Sequence, residues 1–585
     1  MPGNQQIVGY ATLPSNIVSK SRIIGPLNRN ESKQIATHAM VFMLSGITVR
    51  WKIPVAYYYT HKASFAPLPV IEEISKIVKT AFEVARCRTR GLANDAGSCN
   101  QKVWRHLGIE LKREKDHPLK ISNSFMMHDQ KIYVFADLEH IIKNWRCAIF
   151  NQWKDGFFFK LSDAIFAKYA EEHGLVSPCI VWGHIYELYK FDCLHEYKYA
   201  PRLNKECFEF TTSWAKMCVP TAMAVLSRAV AAGLRMLVKH HNYPADYLTT
   251  ALFCDIFGKW VNLMNSRSPS FALSYKRRDY NELMEFLDEF MIFTDSIQTH
   301  PNPSANYRKD FQKGAILLTT SVKEVAKDLL DEGYDFVLPS RFGSGPCENL
   351  FSTIRKKDPA PTYLAFQKIM QCLVITRSTL KHENGTYLND EDEVNWVTDF
   401  KKLKDSKTDP EIEEMNFEIG DYKMTDFSQI QGITFHLGYV LKKTICSVSH
   451  CQKCIDLLTT SHENRTWKHS LITEKAYVDG ALKLPSEMAS DLFENANNRF
   501  MENRDTFDKA PRTLDKFIAW LSKELVEKYK EFPSCHLDLL LRRFFKTRMY
   551  FLANTMDEKI QNEIKSIREN NFGSRTMMAH RANKK

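Results

Sequence analysis

Cysteine is scarce in this chain: 14 residues in 585, irregularly spaced, too few for a disulfide scaffold. A reducing compartment is therefore expected. No run of about 18 apolar residues is evident, so no bilayer-spanning segment is expected. The opening segment Met1–Tyr10 has neither the charged nor the apolar stretch of a secretory signal. No Gly-x-x-x-x-Gly-Lys-Ser/Thr phosphate loop occurs, which excludes the common nucleotide cradle. No internal repeat is visible. No aspartate precedes Asp95.

What is present is an ordinary globular composition, 44% hydrophobic and 25% charged, long enough for roughly two to four domains with their own cores. The net charge of +11 permits binding to a phosphate backbone without requiring it. The tail from Met577 to Lys585 is too short and mixed to read as a nuclear import signal.

Two apolar runs, Ala39–Leu44 and Trp51–Tyr59, flank Ser45-Gly46 and predict adjacent strands. Val70, Ile71, Ile74, Ile77, Val78, Ala81, Phe82 and Ala85 recur at helical steps within Pro67–Ala85. A short strand ending near Asp95, a helix over Asn100–Leu107 and a buried strand from Lys131 to Ala136, ending at Asp137, follow. From about 150 to 300 the texture is aromatic and helical, with stripes at Leu161–Ala170, Thr221–Val238 and Asn281–Phe293. Residues 300–310 read as a polar hinge, Ala315–Leu330 as a return to α/β texture, and Arg341–Pro346 as a loop feeding a helix that starts near Glu348. Residues 383–429 are acidic and polar and read as a linker. A helical region follows from about 430.

Three segments carry chemistry. Asp95 lies in Asn94-Asp95-Ala96-Gly97-Ser98-Cys99-Asn100, with Leu107-Gly108 beyond; on its own this is also good turn chemistry. Asp137 opens Asp137-Leu138-Glu139-His140-Ile141-Ile142-Lys143-Asn144-Trp145-Arg146. Glu348 sits in Cys347-Glu348-Asn349-Leu350-Phe351-Ser352-Thr353-Ile354-Arg355, where an acid also suits a helix N-terminus. Taken in order, these segments resemble the signature motifs of P element-type DNA transposases. The resemblance implies α/β plus α architecture: an RNase H-like domain without its first strand, split by a mostly helical GTP-binding-type insertion and followed by a helical C-terminal region. The implied divisions are residues 1–149, 150–300, 301–382, an acidic linker at 383–429, and 430–585.

It also implies metal-dependent DNA cleavage and strand transfer, with Asp95 and Glu348 as catalytic residues and ligands of Mg²⁺. Two-metal phosphodiester chemistry needs hard carboxylate oxygens gathered from separate elements. Where relatives often carry an Asp three residues before the Glu, this chain has Gly345. The family's first Asp, on the first strand, has no counterpart here, so the chain is expected to be inactive in strand transfer. The alternative is a non-enzymatic, host-adapted DNA- or chromatin-binding or oligomerisation protein.

The insertion resemblance runs through Val181-Trp182-Gly183-His184-Ile185, Lys216-Met217-Cys218-Val219-Pro220 and Leu226-Ser227. It implies GTP as a ligand, with Asp137, Lys143 and the position of Asn262 at its site. The structural reading of the first two is a strand end and a solvated helix face. DNA, either transposon ends or non-specific duplex, a homo-oligomeric state and a nuclear location are implied as well. Cys451 and Cys454, with Cys446, His450 and His462 nearby, do not by themselves make a zinc site, because a closed tetrahedral site needs four ligands at sensible spacings. Two buried cysteines on a helix account for the same residues.

Overall fold

The computed structural model describes residues 36–549 apart from 50, 62–63, 112–120, 211–212, 217, 303–307, 380–416, 446–450, 478–481, 508–512 and 531–535. The acidic stretch of the expected linker, with Cys446, His450 and the chain end from 550, lies outside the described residues.

The first two strands, β1 (His38–Ser45) and β2 (Lys52–Thr60), pair antiparallel from His38↔Thr60 to Ser45↔Lys52. The register shifts between Phe42 and Met43, opposite Ala56 and Pro54. A bulge suits that place, since Pro54 has no N–H for the ladder. Alternation along β1 splits its side chains between two layers. Met40 and Phe42 pack toward α1 (Pro67–Ala85), while Ala39, Val41 and Met43 pack toward Leu350, Ile354 and Phe366. Helix α1 starts on Pro67, where a missing N–H costs nothing, and buries Val70, Ile74, Val78 and Ala81. Burying each large aliphatic side chain there is worth roughly 1.5–3 kcal/mol.

A second sheet holds β3 (Gly91–Asn94), β4 (Ser124–Met127) and β5 (Gln130–Ala136) in the order β3-β5-β4. β3 runs parallel to β5, and β4 antiparallel to it. Helix α2 (Ser98–His106) follows β3. A Cβ on Gly91 would stand 2.5 Å from the Phe135 ring, so only glycine lets β3 approach β5. Strand β4 is absent from the expectation because its turn is His128-Asp129. Both residues adopt positive φ, 48° and 59°, in a primed hairpin turn that usually announces itself with Asn-Gly.

The helical segment begins with α3 (Leu138–Lys154) and continues through β6 (Phe159–Lys160), α4 (Asp163–His173), β7 (Cys179–Ile180) and α5 (Trp182–Cys193). After α6 (Ser213–Lys216) come α7 (Val219–Val225), α8 (Arg228–His240), α9 (Tyr247–Met264) and α10 (Tyr280–Ser296). Trp145, Trp182 and Trp260 are fully buried in their common core. The single helix expected over Thr221–Val238 is instead two. Ser227 accepts the Val230 N–H as the cap of α8, and a capping side chain stops one helix and starts another. Val219–His240 is long and apolar enough to cross a membrane by composition, yet 67% of its most apolar window is buried in the fold.

Residues 315–330, expected to be mixed α/β, lie entirely within helix α11 (Asp310–Asp331). α11 returns to the sheet. The Ser321 hydroxyl donates to the Val134 carbonyl at 2.6 Å, and Gly314 lies against Ile141 and Ala136. A 3₁₀ turn over Pro339–Phe342 then leads into α12 (Gly345–Lys357) and α13 (Tyr363–Thr379).

The last described region comprises helices Phe427–Ile445, Gln452–Leu458, Ser470–Glu474, Glu487–Glu502 and Thr513–Lys528, with residues 537–549 also helical. Its core gathers Leu437, Phe493, Phe517 and Phe544. It docks on the segment after α5. Glu196 pairs with Arg504 at 3.1 Å and with Arg548, the Tyr199 hydroxyl donates to Gln431 at 2.9 Å, and the Tyr197 N–H to Gln429 at 3.2 Å.

Candidate active site

The two sheets face each other across a gap. Among the described residues no strand stands between β1 and β3, and the edges His38–Ser45 and Gly91–Asn94 line one cavity of about 870 Å³. Its floor is apolar, with Val70, Ile74 and Val103. Toward the end of β3 the lining turns polar, with Asp95, His140 and Glu348. An interstrand spacing of about 4.8 Å on each side is what a strand filling such a gap would adopt.

Chain geometry alone brings Asp95 and Glu348 to this cavity. Asp95 follows the last residue of β3, so the parallel strand delivers it to the sheet's end. Its Oδ1 accepts the Gly97 N–H at 2.9 Å and the Asn100 amide at 2.7 Å. Its Oδ2 makes no hydrogen bond among the described residues. Glu348 lies in the first turn of α12 and is exposed. Its carboxylate has no hydrogen-bond or ion-pair partner among the described residues. Glu332 also lines the cavity, but Arg90 holds it at 2.5 Å. The cavity thus offers two carboxylates able to meet a hard cation, and arginines 86, 88, 90 and 341 line its other parts.

Asp137 is at the same end but is already engaged. It caps α3, taking the His140 N–H at 3.1 Å and its Nδ1 at 2.7 Å on Oδ2. Oδ1 takes the Ser344 N–H and hydroxyl. Burial opposes its charge, yet the bonds from His140 and Ser344 outweigh that and hold the carboxyl at about 2. The bond to Asp137 in turn raises His140. Beside them Glu139 is pushed up by burial and by Asp137 and Glu348, against the pull of Lys143. Burial, with Glu348 and Asp137, lifts the Cys347 thiol to about 11.

The structure therefore groups Asp95, Asp137 and Glu348 at one cluster of element ends. Lys143 is buried on α3, one turn beyond Glu139, rather than on a solvated face. Asn262 is exposed near the end of α9, and among the described residues no hydrogen bond joins it to Asp137 or Lys143. His140 and Ser344 were not singled out as site residues. The Asp-x-x-His spacing at a helix start is the local signal for the first. Nothing local announces Ser344.

Arg146 supplies a further link. Fully buried, it donates to Thr221 Oγ1 and to the Lys216 carbonyl, each at 2.5 Å. The motif at the start of α3 is thereby tied to the one at residues 216–220. His184, in the third motif, bonds Thr250 at 3.0 Å and stacks on Tyr247.

Comparison with known proteins agrees with this architecture. A family model described as the TNP-like RNase H N-terminal domain matches residues 4–108, and one described as the TNP-like GTP-binding insertion domain matches residues 158–277. The chain is 22% identical over 557 residues to the transposable element P transposase of Drosophila melanogaster, covering 92% of this chain and 66% of that relative's length. A solved structure, the Drosophila P element transposase strand transfer complex, aligns with 64% of this chain and 76% of its own at 20% identity and a TM-score of 0.48. The resemblance to P element-type transposases is borne out by the two domain matches and the curated relative. The chain thus carries an RNase H-like N-terminal match and a GTP-binding insertion match, and it is similar to a transposase.

Proposed function

We propose that the cavity beside Asp95 and Glu348 is the remnant of an RNase H-type phosphodiester-transfer site for DNA, inactive for want of a third carboxylate, in a nuclear protein. The observation that supports this best is the pair of carboxylates, without ion-pair partners among the described residues, in the cavity between β1 and β3 of a chain similar to a transposase. Asp95, held on one oxygen by Gly97 and Asn100, keeps its other oxygen for a divalent ion, and Glu348 supplies a second ligand. Mg²⁺, when bound, would polarise the phosphate and lower the pKa of the attacking hydroxyl or water. Asp137 positions Glu348 by fixing the start of α12. The cavity arginines suit phosphate oxygens. Completion of the site needs a third carboxylate, which a strand lying between β1 and β3 would carry. The domain limits proposed are those of the sequence reading, with the insertion taking a guanine nucleotide near Asp137, Lys143 and Asn262 and the assembly a homo-oligomer. A host-adapted DNA-binding role without catalysis would use the same arginine-lined cavity.

Iron-directed cleavage tests the metal reading without requiring turnover. Fe²⁺ with ascorbate and peroxide is expected to cut the protein backbone near residues 95 and 348. Asp95→Asn and Glu348→Gln should each suppress both cuts. Cuts that persist in both variants, or that fall elsewhere, would remove the metal from this cavity.

A further inference from the structure

The C-terminal Cys-x-x-Cys gains a third partner that sequence order conceals. Cys451 caps the helix Gln452–Leu458 and Cys454 lies one turn in, so both project from the same side. His536, 82 residues further on, brings its Nδ1 to 3.2 Å from the Cys454 Sγ. The two sulfurs and one imidazole nitrogen all lie within 4.8 Å of one another. Zinc bonds of about 2.3 Å to thiolate and about 2.0 Å to imidazole put tetrahedral ligand atoms roughly 3.5–3.8 Å apart. The three atoms are within side-chain adjustment of that spacing.

We propose that Cys451, Cys454 and His536 bind zinc, and that the ion pins the last described helix to the C-terminal core. Cys454 is buried in the cluster containing Leu458, Leu537, Leu540 and Leu541. Cys451 and His536 are half-buried, which leaves the ion a route in. His462, the other histidine near the pair in sequence, bonds Arg465 and does not join the cluster. Two rival readings fit less well. A nucleophilic Cys–His dyad needs substrate access, and the Cys454 side chain has almost none. A redox Cys-x-x-Cys pair does not need an imidazole delivered from a distant helix. Binding requires the thiols to ionise and releases their protons. The ion would close a loop of more than 80 residues between Cys454 and His536, and so favour the folded C-terminal region.

The test uses the full chain purified without chelator. Elemental analysis is expected to find about one zinc per chain, and cobalt(II) substitution a thiolate-to-metal charge-transfer band. Cys454→Ser and His536→Ala should each lose most of the metal and the band, while His536→Cys retains both. Cys193→Ser, at an exposed cysteine elsewhere, should change neither. Because the first two variants could fail to fold, chelation of the wild-type chain gives a second readout: two thiols should become newly reactive to alkylation. A wild-type chain without zinc or a cobalt band would overturn the proposal. So would a Cys451–Cys454 disulfide in the purified protein, or full zinc content in His536→Ala.

Discussion

Asp137 and Ser344 stand 207 residues apart in the chain and share one carboxylate oxygen, with the Ser344 N–H at 3.0 Å and its hydroxyl at 2.6 Å. The bond joins the start of α3 to the loop that launches α12, with the GTP-binding-type insertion between them. Glu348 follows Ser344 by four residues, so this junction sets where its carboxylate enters the cavity.

Asp137→Asn is expected to destabilise the protein at neutral pH by roughly 2 kcal/mol, the scale of a carboxyl shifted from 3.8 to about 2. The sign follows from the depressed value. The stabilisation is present above 3.8 and is lost as pH falls through about 2. Urea denaturation at several pH values should show the wild-type advantage shrinking across that acid window. An advantage that does not vary with pH would mean the carboxylate's charge is not what holds the junction.

The 585-residue chain, assayed by itself with Mg²⁺ or Mn²⁺ and DNA carrying related inverted repeats, is expected neither to cleave nor to join ends. Among the described residues the cavity offers only two carboxylates without ion-pair partners, and two-metal transfer needs a bridging third. Cleavage that disappears in Glu348→Ala would overturn this expectation.

Guanine nucleotide binding is expected to weaken in Lys143→Ala, because an ammonium supplies charge to a phosphate without demanding fixed geometry. Asn262→Asp, at an exposed position, should strengthen it if an acid there contacts the ligand. Titration of GTP against the three proteins settles both points. Equal affinities for wild type and Lys143→Ala would take Lys143 out of the site.

Non-specific DNA binding should fall away between roughly 50 and 200 mM salt, with little preference among duplex sequences. Contacts from arginines to phosphate release counterions and carry no sequence information. A footprint on one sequence that survives high salt would reveal a base-reading surface elsewhere.

His436 gives the C-terminal core its own acid sensitivity. Burial, helped by nearby Arg548, lowers it to about 3, and it stacks on Phe544 at 4.4 Å. A histidine kept neutral in the fold favours unfolding once the unfolded chain can protonate it. Stability should therefore decline by about 1.4 kcal/mol per pH unit as pH falls from 6.5 toward 3. His436→Gln should flatten that slope in thermal melts. An unchanged slope would assign the acid sensitivity to other groups.

The sequence by itself determined the local elements and the family resemblance. The two apolar runs of β1 and β2 around Ser45-Gly46, the apolar stripe of α1 and the strand ending at Asp137 depend on neighbours in the chain, and each appears in the fold at nearly the expected limits. Motif order pointed to the RNase H-like domain and its insertion, which the family matches support. Where local signals compete, the reading slipped. Ser227 divides an apolar stripe into two helices, β4 turns on His128-Asp129 without glycine, and α11 is one long helix because its buried face meets both β5 and α3. Only the tertiary structure decided how distant residues meet. It bonded Asp137 as the cap of α3, set Ser344 against it, tied Arg146 to Lys216 and Thr221, and carried His536 to Cys454. Such contacts close loops of tens to hundreds of residues. Their free energy comes from packing and hydrogen bonds that no stretch of neighbouring residues encodes.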